Sequence, residues 1–263
     1  MSRRLVRALS SKTDGPPFNI HNHIKLCALD VICDERQFYS DVILETGLKW
    51  GFTQNDMAVL SKDIYLAGTD ATSTTMASCL AFLAMFPEHQ KKVYDELFEI
   101  FGDSDRDPTL DDLKKMVYLE MCLKEALRHC APAAITRRLS SDIQIENYHF
   151  PKGAMLYFAF YFTHKNPMWW KRPEDFYPDH FSKEAVAKRP KGVFMPFSAG
   201  PRGCPGQTFA WLSMKTITSR LIRSYEFHTN MEFEKSRYHV LLVPQIKEGY
   251  FVSITNRSNK AHK

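Results

Sequence analysis

The longest apolar run in the chain extends from Met76 to Phe86 and closes a longer segment whose start is marked by Thr53-Gln-Asn-Asp56. That tetrapeptide fits a capping box with a short acid at the third helical position. Pro87 disfavours helical geometry just before it, so the pattern predicts a helix reaching Phe86. Its second half is apolar nearly all round, which predicts burial. Gly68 near its middle costs about 1 kcal/mol against Ala, and Thr69 beside it is another weak helix former. The long helix is therefore predicted to be weakened at its centre. Pro87-Glu-His-Gln90 opens a second helix that closes at Gly102. Thr109-Leu-Asp-Asp112 starts a third helical stretch, which continues through Tyr118–Arg128 and stops before Pro132.

The period then changes. Ile143, Ile145 and Tyr148 alternate with polar residues, and Pro151-Lys-Gly153 turns into Met155–Tyr161, which predicts a small hairpin. From Asn166 to Pro201 the chain is irregular and rich in Pro, Lys, Arg and aromatics. Pro205 to Ser224 is helical again. Tyr238–Pro244 and Tyr250–Thr255, around Lys247-Glu-Gly249, predict a terminal hairpin. The first 50 residues are the least coherent: Asn19 to Arg36 is helix-compatible but runs into Phe38-Tyr39 without a turn signal. The expectation is an irregular segment over 1–52 and a single domain over 53–263, mainly α with small β-hairpins.

Composition narrows the function classes. With 44% apolar and 25% charged residues among 263, the chain is ordinary for a globular protein. A net charge of +5 is too mild to suggest a nucleic-acid partner. The run Met76–Phe86 is far short of the roughly 20 residues that span a bilayer, and the basic start Met-Ser-Arg-Arg leads into no apolar core, so no anchor or signal peptide is expected. Six cysteines without a secretion signal read as reduced thiols. Of these, Cys27, Cys33, Cys79, Cys122 and Cys130 are expected to pack as small apolar groups. His21-Asn22-His23, without a supporting acid or glycine framework, reads as a surface pair.

The sixth cysteine lies in Phe197-Ser-Ala-Gly200-Pro-Arg202-Gly-Cys204-Pro-Gly206. This glycine-bearing loop would deliver one cysteine to the first turn of a helix, where free backbone N–H groups and the helix dipole stabilise a thiolate. Arg202 adds a positive charge, the glycines let the backbone approach a flat, bulky ligand, and Phe197 could cover the sulfur. Such a site suits an axial thiolate on haem iron. A buried structural cysteine beside a turn is the bland alternative, and ten patterned positions argue against it.

These residues resemble the cytochrome P-450 family, whose haem-loop pattern F-x-x-G-x-R-x-C-x-G is met at Phe197, Gly200, Arg202, Cys204 and Gly206. Glu125-Ala-Leu-Arg128 matches the family's E-x-x-R, and at i and i+3 the two side chains share a helix face. In the family that pair joins an arginine of an F-x-P-E-R-F segment. Here the segment reads Phe176-Tyr-Pro178-Asp179-His180-Phe181, so His180 stands in the arginine's place. Ala67-Gly68-Thr69-Asp70-Ala71-Thr72 aligns with A/G-G-x-D/E-T-T. In that alignment Gly68 opens an oxygen groove and Asp70 relays protons. Ala71 occupies the relaying threonine's place, and Thr72, about 100° further round the helix, is the substitute candidate. Arg137 aligns with an arginine on a haem propionate, with Arg138 as an adjacent competitor, and Arg202 would be the second clamp.

The resemblance implies a partial cytochrome P-450 fold, the haem-holding carboxyl-terminal half, similar to the fourth clan. Ile24–Cys33 looks like the helix before the substrate-roof helices, Phe38–Glu45 like the lead into the long helix, and Asp34–Gln37 all that lies between. It implies a haem-thiolate monooxygenase that inserts one oxygen atom from O2 into a small lipophilic substrate, with NADPH electrons arriving through a reductase. The basic residues Lys188, Arg189, Lys191 and Arg202 would face that flavoprotein. The family location is the cytosolic face of the endoplasmic reticulum membrane; without an anchor the chain is expected to be cytosolic. Two other readings stay open: a non-catalytic haem-binding or interaction fragment, and a haem-thiolate hydroperoxide isomerase, which would tolerate Ala71.

Overall fold

Local capping signals set the helical framework. The computed structural model describes residues 2–34, 45–132, 134–240 and 243–257. Along the chain it contains α1 (Ser2–Ser10), β1 (Phe18–Asn19) and α2 (Ile20–Asp34), followed after a helical stretch at 45–49 by α3 (Gln54–Met85) and α4 (Pro87–Phe101). At the start of α3 the Thr53 amide donates to Asp56 Oδ2 at 2.8 Å and the Asp56 amide to Thr53 Oγ1 at 3.2 Å, a reciprocal cap. Pro87 begins α4 at its first position, where a missing N–H costs nothing, and Gly102 ends it with φ +55°.

The third helical stretch is interrupted, contrary to the sequence pattern. It forms α5 (Leu110–Lys115) and α6 (Val117–Cys130), separated at Met116. Thr109 and Asp112 cap α5 reciprocally, but α6 has its own acceptor. Glu96 of α4 takes the amides of Tyr118 at 2.6 Å and Leu119 at 3.0 Å. A carboxylate brought by a neighbouring helix supplies the cap that no local residue provides.

Strand pairing differs more. β2 (Ile135–Arg138) pairs antiparallel with β5 (Met155–Phe158), and nested between them β3 (Ile143–Ile145) pairs with β4 (Tyr148–Phe150). The inner hairpin turns at Glu146, with φ +50°, while Pro151–Gly153 forms the expected turn into β5, the Ala154 amide donating to Pro151 O at 3.1 Å. Beyond β5 the expected strand gives way to α7 (Phe160–His164); α8 (Lys183–Ala187) and α9 (Gln207–Ser224) follow. The predicted terminal hairpin does not form. β7 (Tyr238–Val240) pairs with β8 (Pro244–Ile246), whereas β9 (Phe251–Asn256) lies between β6 (Tyr225–His228) and β1. In that register Tyr225 faces Asn256 and Phe18 faces Val252, so β9 joins the two ends of the chain.

The core forms where these pieces meet. Every residue of α3 from Thr72 to Ala84 is buried, as the all-round apolar pattern predicts. Around it pack α2, α6, α9 and the three-stranded sheet. The start of the chain, expected to be irregular, contributes to this core through Leu5 and Leu9 of α1 and Ile20 and Ile24 of α2, all buried. The segment Phe38-Tyr39 and most of Asp34–Gln37 and Phe38–Glu45 lie outside the described residues. The result is mainly α with small antiparallel β pairings. Among the described residues no helix is long and apolar enough to cross a membrane.

Candidate functional site

The sequence Glu125-x-x-Arg128 places both charges on the inner face of α6, and both side chains are fully enclosed. Arg128 grips the carboxylate with two prongs, Nε to Oε2 at 2.9 Å and Nη2 to Oε1 at 2.7 Å. Its remaining donors reach three main-chain carbonyls: His164 at 2.9 Å, Pro173 at 2.6 Å and Asp175 at 2.8 Å. Glu125 also accepts the Tyr177 amide at 2.9 Å and lies 3.2 Å from His180 Nδ1 through both oxygens. Burial opposes ionisation of Glu125. The hydrogen bonds of His129, His180 and Arg128, and the guanidinium charge, outweigh it and hold the carboxyl well below the usual range. The structure thus brings Glu125, Arg128 and His180 together, with His180 in contact with the carboxylate.

Two residues of this cluster were not legible in sequence. Trp170 is fully buried, donates its indole N–H to Thr163 O at 2.9 Å, and lies between two guanidiniums, Arg189 at 3.8 Å and Arg128 at 5.1 Å from its ring. Arg189 read as part of a basic surface. Instead it turns inward over Trp170 and donates to the His180 carbonyl. Lys188, Lys191 and Arg202 are exposed as expected.

The cysteine loop is built by backbone. Ser198 at φ +61° and Gly200 at φ +75° bend the chain in the left-handed region. The Gly203 amide closes onto Gly200 O at 2.9 Å and the Cys204 amide onto Phe197 O at 2.9 Å. A Cβ at Gly203 would lie 3.1 Å from Gly200 O and press on the loop backbone, and one at Gly206 would stand 4.0 Å from Cys204 Sγ. Two expectations are corrected. Gly206 is the N-cap of α9, so Cys204 precedes the helix by two residues and does not lie in its first turn. Phe197 packs against Trp211 at 5.9 Å and leaves Cys204 exposed.

On α3 the central weakness is absent from the backbone, since the helix is continuous through Gly68. A Cβ at Gly68 would meet Ile32 Cδ1 at 2.9 Å, so this glycine admits α2 closely. Asp70 is paired with Lys25 of α2 at 3.0 Å. Thr72 is buried, and the Ala71 carbonyl accepts the Thr75 hydroxyl at 2.9 Å. The pair His21-His23, expected on the surface, is half-buried, His23 standing edge-on to Phe18 at 5.4 Å. His21 is partly buried and lies 3.3 Å from Ser73 Oγ.

The loop fits the group that its pattern implies. Cys27, Cys79, Cys122 and Cys130 are buried, and burial pushes the thiols of Cys27 and Cys130 up to about 11 and 12. Cys204 is the exposed thiol among the described cysteines, beside bare glycine backbone. Arg202 forms no ion pair among the described residues, and Arg137 on β2 donates only to the neighbouring Thr136 carbonyl, at 2.8 Å. A soft sulfur donor, uncovered backbone and guanidiniums without ion pairs among the described residues suit an iron porphyrin with two carboxylates. No group of three His, Cys, Asp or Glu side chains among the described residues could hold a metal ion directly.

Comparison with known proteins agrees. A family profile described as Cytochrome P450 matches residues 34–251. Cytochrome P450 4c21 of Blattella germanica is 38% identical over 67% of this chain and 35% of its own length. Cytochrome P450 4g15 of Drosophila melanogaster is 32% identical over 86% of this chain and 40% of its own. Cytochrome P450 4V2 of Homo sapiens is 35% identical over 73% and 37%. The chain spans well under half the length of these curated relatives.

Proposed function

This chain belongs to the cytochrome P450 family, and from that premise we propose that it is a haem-thiolate monooxygenase. It would insert one oxygen atom from O2 into a small lipophilic substrate, using NADPH electrons delivered by a flavoprotein reductase. The observation that carries this reading is Cys204, an exposed thiol on a loop closed by its own amide.

In this reading Cys204 Sγ ligates the iron of haem b, and bare backbone at Gly200 and Gly206 admits the macrocycle. Arg202 and Arg137 hold its propionates, and Phe197, braced on Trp211, fixes the loop's entry. When bound, haem supplies the oxygen-binding iron and its redox chemistry. Asp70 would pass a proton on through its carboxylate, which Lys25 orients. Thr72 would offer its hydroxyl in place of the threonine that Ala71 lacks, and Gly68 fixes the spacing of α3 from α2. Glu125, Arg128 and His180 support the segment that carries the loop. The exposed Lys188, Lys191 and Arg202 form the surface for an acidic reductase, at the cytosolic face of the endoplasmic reticulum membrane.

A second reading, a non-catalytic haem-binding or interaction fragment, is favoured by a specific observation. Leu48, Trp50, Val59, Ile64 and Leu66 are exposed on and before the first half of α3, where a substrate pocket would need cover. The reduced, carbon-monoxide-bound spectrum tests the common part. A red-shifted thiolate band lost in Cys204→Ser supports haem ligation, and a neutral-ligand band or no retained haem overturns it. Reductase-dependent substrate turnover then separates the enzyme from the fragment.

A further inference from the structure

His164 ends α7 with its ring buried, stacked on Phe160 at 6.4 Å and tilted against Phe194 at 5.2 Å. It faces two ways. Its main-chain carbonyl accepts Arg128 Nη1 at 2.9 Å, and its ring Nε2 accepts the Met195 amide at 3.1 Å. A backbone N–H can only donate, so Nε2 carries no proton and the neutral ring is protonated on Nδ1. Beyond Met195 the bonds continue into the cysteine loop. Met195 O accepts the Ser198 amide at 3.1 Å, and Phe197 O accepts the Cys204 amide at 2.9 Å.

An unbroken series of contacts therefore joins the Glu125–Arg128 pair to Cys204, and His164 is its one side-chain acceptor outside that pair. Pro196 follows Met195 and has no N–H of its own. An apolar ring at 164 would fill the same space between Phe160 and Phe194 but leave the Met195 amide without an acceptor. Packing alone does not call for an imidazole here.

We propose that His164 is a positioning residue for the thiol-bearing loop, holding Phe194–Cys204 in register with Arg128 through the Met195 amide. The proposal rests on the haem reading only for what the loop is used for. Its test reads the polypeptide without haem, so the two can fail separately.

Nitrogen-15 NMR of the full chain labelled at histidine reads the tautomer directly in the unaltered protein. A His164 ring protonated on Nδ1 supports the proposal, and one protonated on Nε2 overturns it. Hydrogen exchange supplies the second readout. In His164→Phe, Met195 amide protection should fall about tenfold, equivalent to ~1.4 kcal/mol, and Cys204 should be alkylated faster by a charged maleimide. His164→Gln, whose side-chain oxygen accepts a hydrogen bond without titrating, should restore both. Met195 protection unchanged in His164→Phe, or a loss equal in Phe and Gln variants, overturns the assignment.

Discussion

The Glu125–Arg128 cluster and the Cys204 loop use polar groups in opposite ways. Around Arg128 every described donor has an acceptor inside the fold: two carboxylate oxygens and three carbonyls, with Trp170 over the guanidinium face. Around Cys204 the backbone closes on itself and leaves the thiol exposed, with Arg202 in no ion pair among the described residues. A buried charge pair whose own groups are all satisfied fixes one geometry, and the unpartnered buried atoms, His180 Nε2 and Arg189 Nη1, lie at its edge. A loop that holds its shape by main-chain bonds, with its side-chain chemistry uncommitted, is prepared for a ligand. Rigidity and reactivity have been assigned to different residues.

The contrast breaks most sharply at Arg128. Arg128→Ala leaves Glu125 as an unpaired buried charge, which costs about 3–5 kcal/mol. The variant should shift the urea midpoint by most of the protein's stability or fail to fold, and an unchanged midpoint would show that the pair carries no weight. Acid attacks the same cluster from another side. Burial holds the His164 imidazole down at about 4, from an ordinary 6.5. A depressed folded pKa makes its contribution complete above pH 6.5 and progressively lost as pH falls towards 4, by up to about 3 kcal/mol. His129, lowered by burial, acts in the same direction. Urea titrations at pH 7.5, 6 and 5 should show falling stability, with a shallower slope in His164→Gln.

Smaller effects are expected away from that cluster. Gly68→Leu forces atoms into the space of Ile32 and should cost about 1–3 kcal/mol, read as a lower thermal midpoint. Cys204→Ser, at an exposed position, should move stability by no more than about 0.5 kcal/mol while abolishing any thiolate haem band. That pairing of a silent fold with a lost spectrum sharpens the contrast, and a large stability loss would refute it.

What the sequence made legible was local. The caps at Thr53–Asp56 and Thr109–Asp112 lie within four residues, and both appear as reciprocal hydrogen bonds. Burial of Met76–Ala84 followed from a pattern with no polar face. The E-x-x-R spacing put Glu125 and Arg128 on one helix face, and the loop pattern singled out Cys204. Long-range partners were not legible. β9 finds β6 and β1 rather than the nearer β7–β8 pair, because pairing across the chain ends depends on where the core places them. Glu96 caps α6 from another helix, breaking a stretch that reads as continuous. Arg189, among lysines at 188 and 191, carries the composition of a solvated face, and only the Trp170 ring, far along the fold from any local signal, draws it inward.

The carbonyls gripped by Arg128 lie 36, 45 and 47 residues along the chain. Closing such loops costs conformational entropy before any bond forms, whereas the capped helices assemble from neighbours. The segment from His164 to Asp175 is therefore fastened only after α6 itself has formed. Bonds made late add to the barrier for leaving the native state and little to the speed of reaching it. Arg128 in this sense is a clasp, closing three returns of the chain onto one side chain.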